Sequence, residues 1–124
     1  MPACLPIDPK PLDHLGWRGD GAAPALVLRD RTLDYNGLRD GVARLAAWLQ
    51  AQLPTPGARV ATWAAKGELT CLMPLAAARA GLVHVPINPL LKRGQVAYIL
   101  ADSGAELLIA TPARLATLVD GDVP

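Results

Sequence analysis

The chain of 124 residues holds two histidines, two cysteines and a single serine. From these residue types nucleophiles, proton shuttles and soft metal sites are commonly built. Their spacing assembles none of them. His84 stands between two valines, with no second His, Cys or carboxylate at ligand spacing, and reads as a packed or hydrogen-bonded strand residue rather than a catalytic base. His14 lies in an irregular stretch. Cys4 and Cys71 lack a CxxC partner, which argues against a zinc site or a disulfide framework. Cys71, inside an apolar helical stretch, is expected to be a small buried hydrophobe, and Cys4 to be incidental. Ser103 sits where a helix ends, outside any G-x-S-x-G elbow. "GWRGDG" (16–21) carries its glycines in the wrong order for G-x-G-x-x-G and follows no strand, so it reads as a loop. The Arg18-Gly19-Asp20 tripeptide within it is attributed to chance. No residue is assigned a catalytic, cofactor-binding or metal-ligating role.

Composition narrows the class. Hydrophobic residues make up 52% of the chain but aromatics only 4%, with no Phe, so alanine and branched aliphatics must fill any core. Twelve Lys and Arg against eleven Asp and Glu give a net charge of +1 without a run of like charge, and nothing suggests a nucleic-acid footprint or a membrane-surface patch. The start, "MPACLPIDPK", lacks the basic and apolar regions of a secretion signal, and no apolar run reaches membrane-span length. A soluble, cytoplasmic protein is expected.

The elements around these residues follow from periodicity. Residues 1–24 hold five of the twelve prolines and read as an irregular leader. "ALVLR" (25–29) is a strand that Asp30-Arg31 turns back into "TL", a small antiparallel ribbon. Asp34 is placed as an N-cap for a helix from Tyr35 to about Gln52, in which Tyr35, Leu38, Val42, Leu45, Ala46 and Leu49 form one stripe. Arg39, Asp40 and Arg44 fall mostly on the other side. "RVATWA" (59–64) is nearly continuous in apolarity, as a strand covered on both faces would be. Residues 67–80 are helical, with Leu69, Leu72, Met73, Ala76 and Ala80 on one face and Gly81 terminating; Pro74 should kink the helix or delay its start.

"VHVPI" (83–87) is the next strand, with Pro86, which lacks an amide donor, expected to end ladder pairing on that side and Pro89 to push Asn88 out of helical geometry. A helix from Arg93 to Asp102 follows, with Leu91 and Val96 spaced as a hydrophobic staple and Gln95 as the returning half of a capping box. Gly104 closes it, "ELLIA" (106–110) is a third buried strand, and 112–119 a final helix with proline in its first turn. The fold class is therefore α/β. Alternating strand-helix units form a partial parallel sheet with helices on its faces, joined by right-handed crossovers and preceded by the antiparallel ribbon.

Two stretches resemble a known family in their order and spacing. "RTLDYNGLRDGVARLAAWL" looks like the opening core motif of the adenylate-forming enzymes, the AMP-binding superfamily of acyl-CoA synthetases, aryl ligases and peptide-synthetase adenylation domains. "AARAGLVHVPINPLLKRGQVAYILADSGAELLIAT" looks like the second, with "PGARVATW" as the intervening strand. The resemblance covers residues 24–119. Within the family, "INPLLKRGQVAYILADSG" is most similar to bacterial AMP-forming acyl-CoA ligases. The chain departs from the family pattern at Asp34, where Ser or Thr is usual, at Pro74 within a helix, and at Arg93-Gly94, where proline often opens the helix.

The resemblance implies an incomplete large N-terminal domain, with residues 25–124 as its first portion, truncated before the phosphate loop. For the complete enzyme it implies two half-reactions. A carboxylic acid and ATP, with magnesium, give an acyl-adenylate and pyrophosphate; a thiol, coenzyme A, then displaces AMP. The phosphate loop, adenine segment, ribose-binding aspartate and catalytic lysine have no counterpart in these residues, so ATP, magnesium and coenzyme A are not expected to bind this chain alone. Its implied partner is the rest of the parent polypeptide. The stiff Val-Pro-Ile-Asn-Pro exit from the 83–87 strand is read as scaffold rather than ligand contact. The alternative class is a small non-catalytic α/β module that binds a nucleotide or a protein. It would need a phosphate-binding loop or a coherent exposed apolar patch, and the sequence shows no such loop.

Overall fold

A computed structural model describes residues 8–124; Cys4 lies outside them. The antiparallel ribbon pairs β1 (Pro24–Val27) with β2 (Thr32–Asp34). Its turn falls one residue earlier than the sequence suggested. The Leu28 amide donates to the Arg31 carbonyl at 2.8 Å, leaving Arg29 and Asp30 at the tip. Helix α1 (Tyr35–Gln52) starts as read, with the Asp34 carboxylate accepting the Gly37 amide at 2.7 Å.

The stretch expected to be an irregular leader contains a 3-10 helix, Leu12–Trp17, and the "GWRGDG" loop has a structural task. The carbonyls of Ala23 and Gly21 accept the amides of Tyr35 and Asn36 at 3.1 and 3.0 Å. Together with Asp34 they satisfy the free donors that begin a helix. The approach is so close that a Cβ at Gly19 would stand 2.2 Å from the Tyr35 ring. Arg39, expected on the solvent side, is recruited to this contact. It donates to the carbonyls of Gly16 and Gly19, both at 2.6 Å, and lies 4.6 Å over the Trp17 ring.

The main sheet is parallel, in the order β4-β3-β5, from β3 (Arg59–Trp63), β4 (Val83–Pro86) and β5 (Leu107–Ala110). The chain moves from β3 to β4 through α2 (Glu68–Arg79), then back across β3 to β5 through α3 (Arg93–Ser103). Alternate residues of β3 define the two layers. Val60 joins α1 and α2 in one core with Leu49, Met73 and Ala76. Ala61 and Trp63 join α3 in the other with Val96 and Leu100. Direction and face reverse together, which is what a constant crossover hand requires. Aliphatics and alanines make up most of the core, as the missing Phe demanded, with Trp63 the one buried aromatic among the described residues. Ala76 and Ala77 are fully buried and let α2 lie close on the sheet.

Several local expectations differ from the structure. Helix α2 runs through Pro74 from Glu68, so of the two expected outcomes the delayed start does not occur. The Thr70 carbonyl merely loses one donor. Leu69, placed on the buried face by periodicity, is 39% exposed. Pro86 is compatible with the ladder on the β3 side, where Val83 and Ile87 donate to Ala58 and Thr62, each at 2.9 Å. The two-residue alternation therefore puts the Pro86 nitrogen on the open edge of the strand. Beyond β5, only α4 (Pro112–Leu115) is helical, not 112–119, because the segment turns at Gly121 (φ +90°) and is pulled back to α3 through Asp122.

Candidate functional site at the carboxyl ends of the strands

The chain leaves β3 toward β4 on one side and returns to β5 on the other. The carboxyl ends of β3 and β5 therefore flank a switch point, where open parallel sheets hold their ligands. A cavity of about 550 Å³ opens there. Trp63, at the end of β3, forms one part; Pro89, Leu91, Lys92 and Arg93, between β4 and α3, form a second; Ala113, Arg114 and Thr117, after β5, form the third. A depression of about 610 Å³ along Asp8–Arg18 is made by a single segment and lies away from the strand ends.

Pro89, the last residue of the Ile-Asn-Pro exit, begins one wall of this cavity. The Asn88 side chain accepts the Leu90 amide at 2.9 Å while its carbonyl accepts the Leu91 amide at 3.1 Å. That is a turn with Asn first and Pro second, the residues such a turn favours. Its rigidity sets the start of α3, whose Lys92 amide is capped by Gln95 Oε1 at 3.0 Å. Leu91 and Val96 meet in one cluster, as the staple spacing required. Of the exit residues Pro89 reaches the cavity, while Ile87 is buried in the core beneath α3.

Three cations surround the opening, two of them already engaged. Arg93 grips Asp122 with both fork positions, Nε to Oδ2 at 2.8 Å and Nη2 to Oδ1 at 3.0 Å. Asp122 is only 9% exposed and also accepts the Val119 amide at 2.8 Å. The Arg93 guanidinium, with that amide, holds the carboxyl of Asp122 below its ordinary range. Arg114 donates to Thr111 Oγ1 at 3.0 Å and to the Pro89 carbonyl at 3.4 Å. Lys92 makes no ion pair among the described residues. Trp63 is 3% exposed, and its Nε1, a buried donor, has no partner among the described residues. Such an orphan costs about 1–3 kcal/mol.

The residues weighed from sequence lie elsewhere. His84 faces the α2 side of the sheet, where its Nε2 lies 2.8 Å from the Thr62 hydroxyl and burial pushes its pKa down. It is the hydrogen-bonded strand residue that was expected. His14 is exposed in the 3-10 helix. Ser103 caps its helix end, donating to the Leu100 carbonyl at 3.4 Å and accepting the Ala105 amide at 3.3 Å. Cys71 corrects the expectation of a buried thiol, for it is exposed. Its immediate neighbours Leu72 and Met73 take the buried stripe of α2, and a step of one residue turns about 100° around a helix.

The geometry brings together residues that composition and motif reading passed over: Trp63, Arg93, Arg114 and Asp122. Tests for local motifs could not reveal a clasp between residues 93 and 122. Among the described residues no group of three or more His, Cys, Asp or Glu could hold a metal ion. The cavity has no glycine-rich run of free amides, and two of its cations are committed. It does not fit a magnesium-bound triphosphate, and no adenylation step is assigned to these side chains.

Comparison with known proteins gives the fold a family. Residues 16–123 match the family described as AMP-binding enzyme. Surfactin synthase subunit 1 of Bacillus subtilis is 34% identical over 104 residues, covering 80% of this chain and 3% of its own. Feruloyl-CoA synthase of an Amycolatopsis species is 40% identical over 86 residues, covering 69% of this chain and 18% of its own. The N-terminal subdomain of Klebsiella oxytoca NpsA, solved with anthranilyl-AMSN, superposes with a TM-score of 0.73 at 25% identity, covering 82% of this chain and 26% of that one. The chain therefore spans a small part of the relatives it matches. No helix among the described residues is long and apolar enough to cross a membrane. A parallel sheet wound in both directions, the antiparallel pair ahead of it and a match over most of the sequence agree on one conclusion: the chain belongs to the AMP-binding, adenylate-forming ligases and carries an N-terminal part of their fold.

Proposed function

We propose that this chain is the N-terminal portion of an ATP-dependent, AMP-forming acid-thiol ligase of the acyl-CoA synthetase type. The complete enzyme activates a carboxylic acid as its acyl-adenylate and passes the acyl group to coenzyme A. On this reading residues 25–124 are the first portion of the large domain, and residues 1–24 lead into it. Alone, they are an inactive scaffold. Their work is to fix the carboxyl ends of β3, β4 and β5 in one plane, against which the remainder of the parent polypeptide supplies the groups that hold ATP, magnesium and the thiol.

The observation that carries the reading is the match of residues 16–123 to the AMP-binding family. The likeness to feruloyl-CoA synthase supports coenzyme A as the acceptor. The test is thioester formation by the parent protein, with a panel of aliphatic and aromatic carboxylic acids, ATP and magnesium, and with coenzyme A or a phosphopantetheinylated carrier protein as the thiol. Acyl-CoA formed from at least one acid, with release of AMP, is expected. Transfer only to the carrier protein would overturn the acyl-CoA assignment while leaving the adenylate-forming reading intact.

A further inference from the structure

The segment after β5, residues 111–124, is held by two polar attachments and by Leu118, which packs half-buried against the cluster of Trp63, Val96 and Leu100. At its start Arg114 bonds to the Pro89 carbonyl across the cavity mouth. At its end Asp122 is held by the Arg93 fork and by the Val119 amide. Between them only Pro112–Leu115 is helical, and Gly121 supplies a left-handed turn (φ +90°). Ala113, Arg114 and Thr117 of this segment form one wall of the cavity at the end of β3.

Two features make this wall movable. The holding charge pair is at the surface on one side, since the Arg93 side chain is 47% exposed, so water can compete for it. The closed arrangement leaves the Trp63 indole donor buried without an acceptor among the described residues, a cost that opening relieves by admitting water or a ligand oxygen. The sheet does not depend on the wall: β3 pairs with β4 and β5 upstream of it.

We propose that residues 111–124 are a strap that opens and closes the cavity over Trp63, with Arg93–Asp122 as its clasp, while the parallel sheet stays intact. The inference does not rest on the ligase reading, and its test involves no catalysis. In native-state hydrogen exchange on the 124-residue chain, the Val119 and Asp122 amides should exchange through local opening. Their rates should be about tenfold or more above those of the Ile87 and Val83 ladder amides and independent of low denaturant.

In a background with Trp17 and Trp48 changed to Phe, Asp122→Asn should raise acrylamide quenching of Trp63 about twofold or more with the ladder protection retained. The charge reversal Arg93→Asp with Asp122→Arg should bring quenching back toward the parent value. If strap and ladder amides share one rate and one denaturant dependence, the strap is overturned, and this measurement stands even if a variant fails to fold. Unchanged quenching in a folded Asp122→Asn chain would overturn the role of the clasp.

Discussion

The Thr62 hydroxyl and the His84 ring nitrogen lie 2.8 Å apart on one face of adjacent parallel strands. Thr62 is buried, so the bond satisfies a hydroxyl that would otherwise stand unpaired in the core. Burial lowers the pKa of His84 from its ordinary 6.5, so the unfolded chain takes up the proton first as pH falls. Stability should be level above about pH 7, fall as pH drops through 6.5, and level again below the folded pKa. Urea denaturation midpoints across pH 5 to 8 check this, and His84→Gln should flatten the profile in that window.

Arg39 ties the start of the described chain to α1 through two carbonyls and the Trp17 ring. Arg39→Ala should cost about 2–3 kcal/mol, from charged hydrogen bonds and a partly desolvated cation-π contact. Arg39→Lys keeps the charge but not the fork and should recover less than half. Thermal unfolding gives the energies. Loss of the near-ultraviolet dichroism of Trp17 in both variants would locate the change.

At Gly19 the same contact forbids a side chain, because a Cβ would meet the Tyr35 ring at 2.2 Å. Gly19→Ala should destabilise by about 1–3 kcal/mol, the usual cost of overpacking. The double change with Tyr35→Ala should cost less than the sum of the two single changes. Strict additivity in the denaturation midpoints would contradict the contact.

Leu100 is fully buried beside Ala61, Trp63 and Val96. Leu100→Ala should cost about 2–5 kcal/mol. Because Trp63 shares that cluster, its emission should shift red in the folded variant, whereas Leu49→Ala, in the opposite layer, should destabilise without moving it.

Much of this architecture is legible in the sequence for a physical reason. Near-continuous apolarity over the short run 59–64 is what a strand covered on both faces needs, and the Tyr35 to Gln52 stripe is the periodicity of a helix buried on one side. Caps are equally local: Asp34, Gln95 and Gly104 act at the positions where their chemistry suits them. What escapes is the tertiary contact that overrides local pattern. Arg39 has the polarity of a solvent face and is drawn to carbonyls brought in by a loop 20 residues away. Asp122 lies beyond every periodic segment, and its partner sits at a helix start 29 residues earlier. Cys71 shows the converse limit, since an apolar neighbourhood in sequence did not make its own helical position an inward one. The cavity escapes a sequence reading because its walls come from three separate segments.

The central claim, that this chain is scaffold for adenylate chemistry carried elsewhere in a parent ligase, is tested most directly by carboxylate-dependent exchange of labelled pyrophosphate into ATP. The parent protein and the 124-residue chain would be measured side by side with magnesium. The account predicts exchange by the parent with at least one carboxylic acid and none by the chain alone, which has no loop of amides and lysine to hold the phosphates. Exchange by the isolated chain, or its saturable binding of ATP in the micromolar range, would contradict the account, as would a parent protein that exchanges with no acid in the panel.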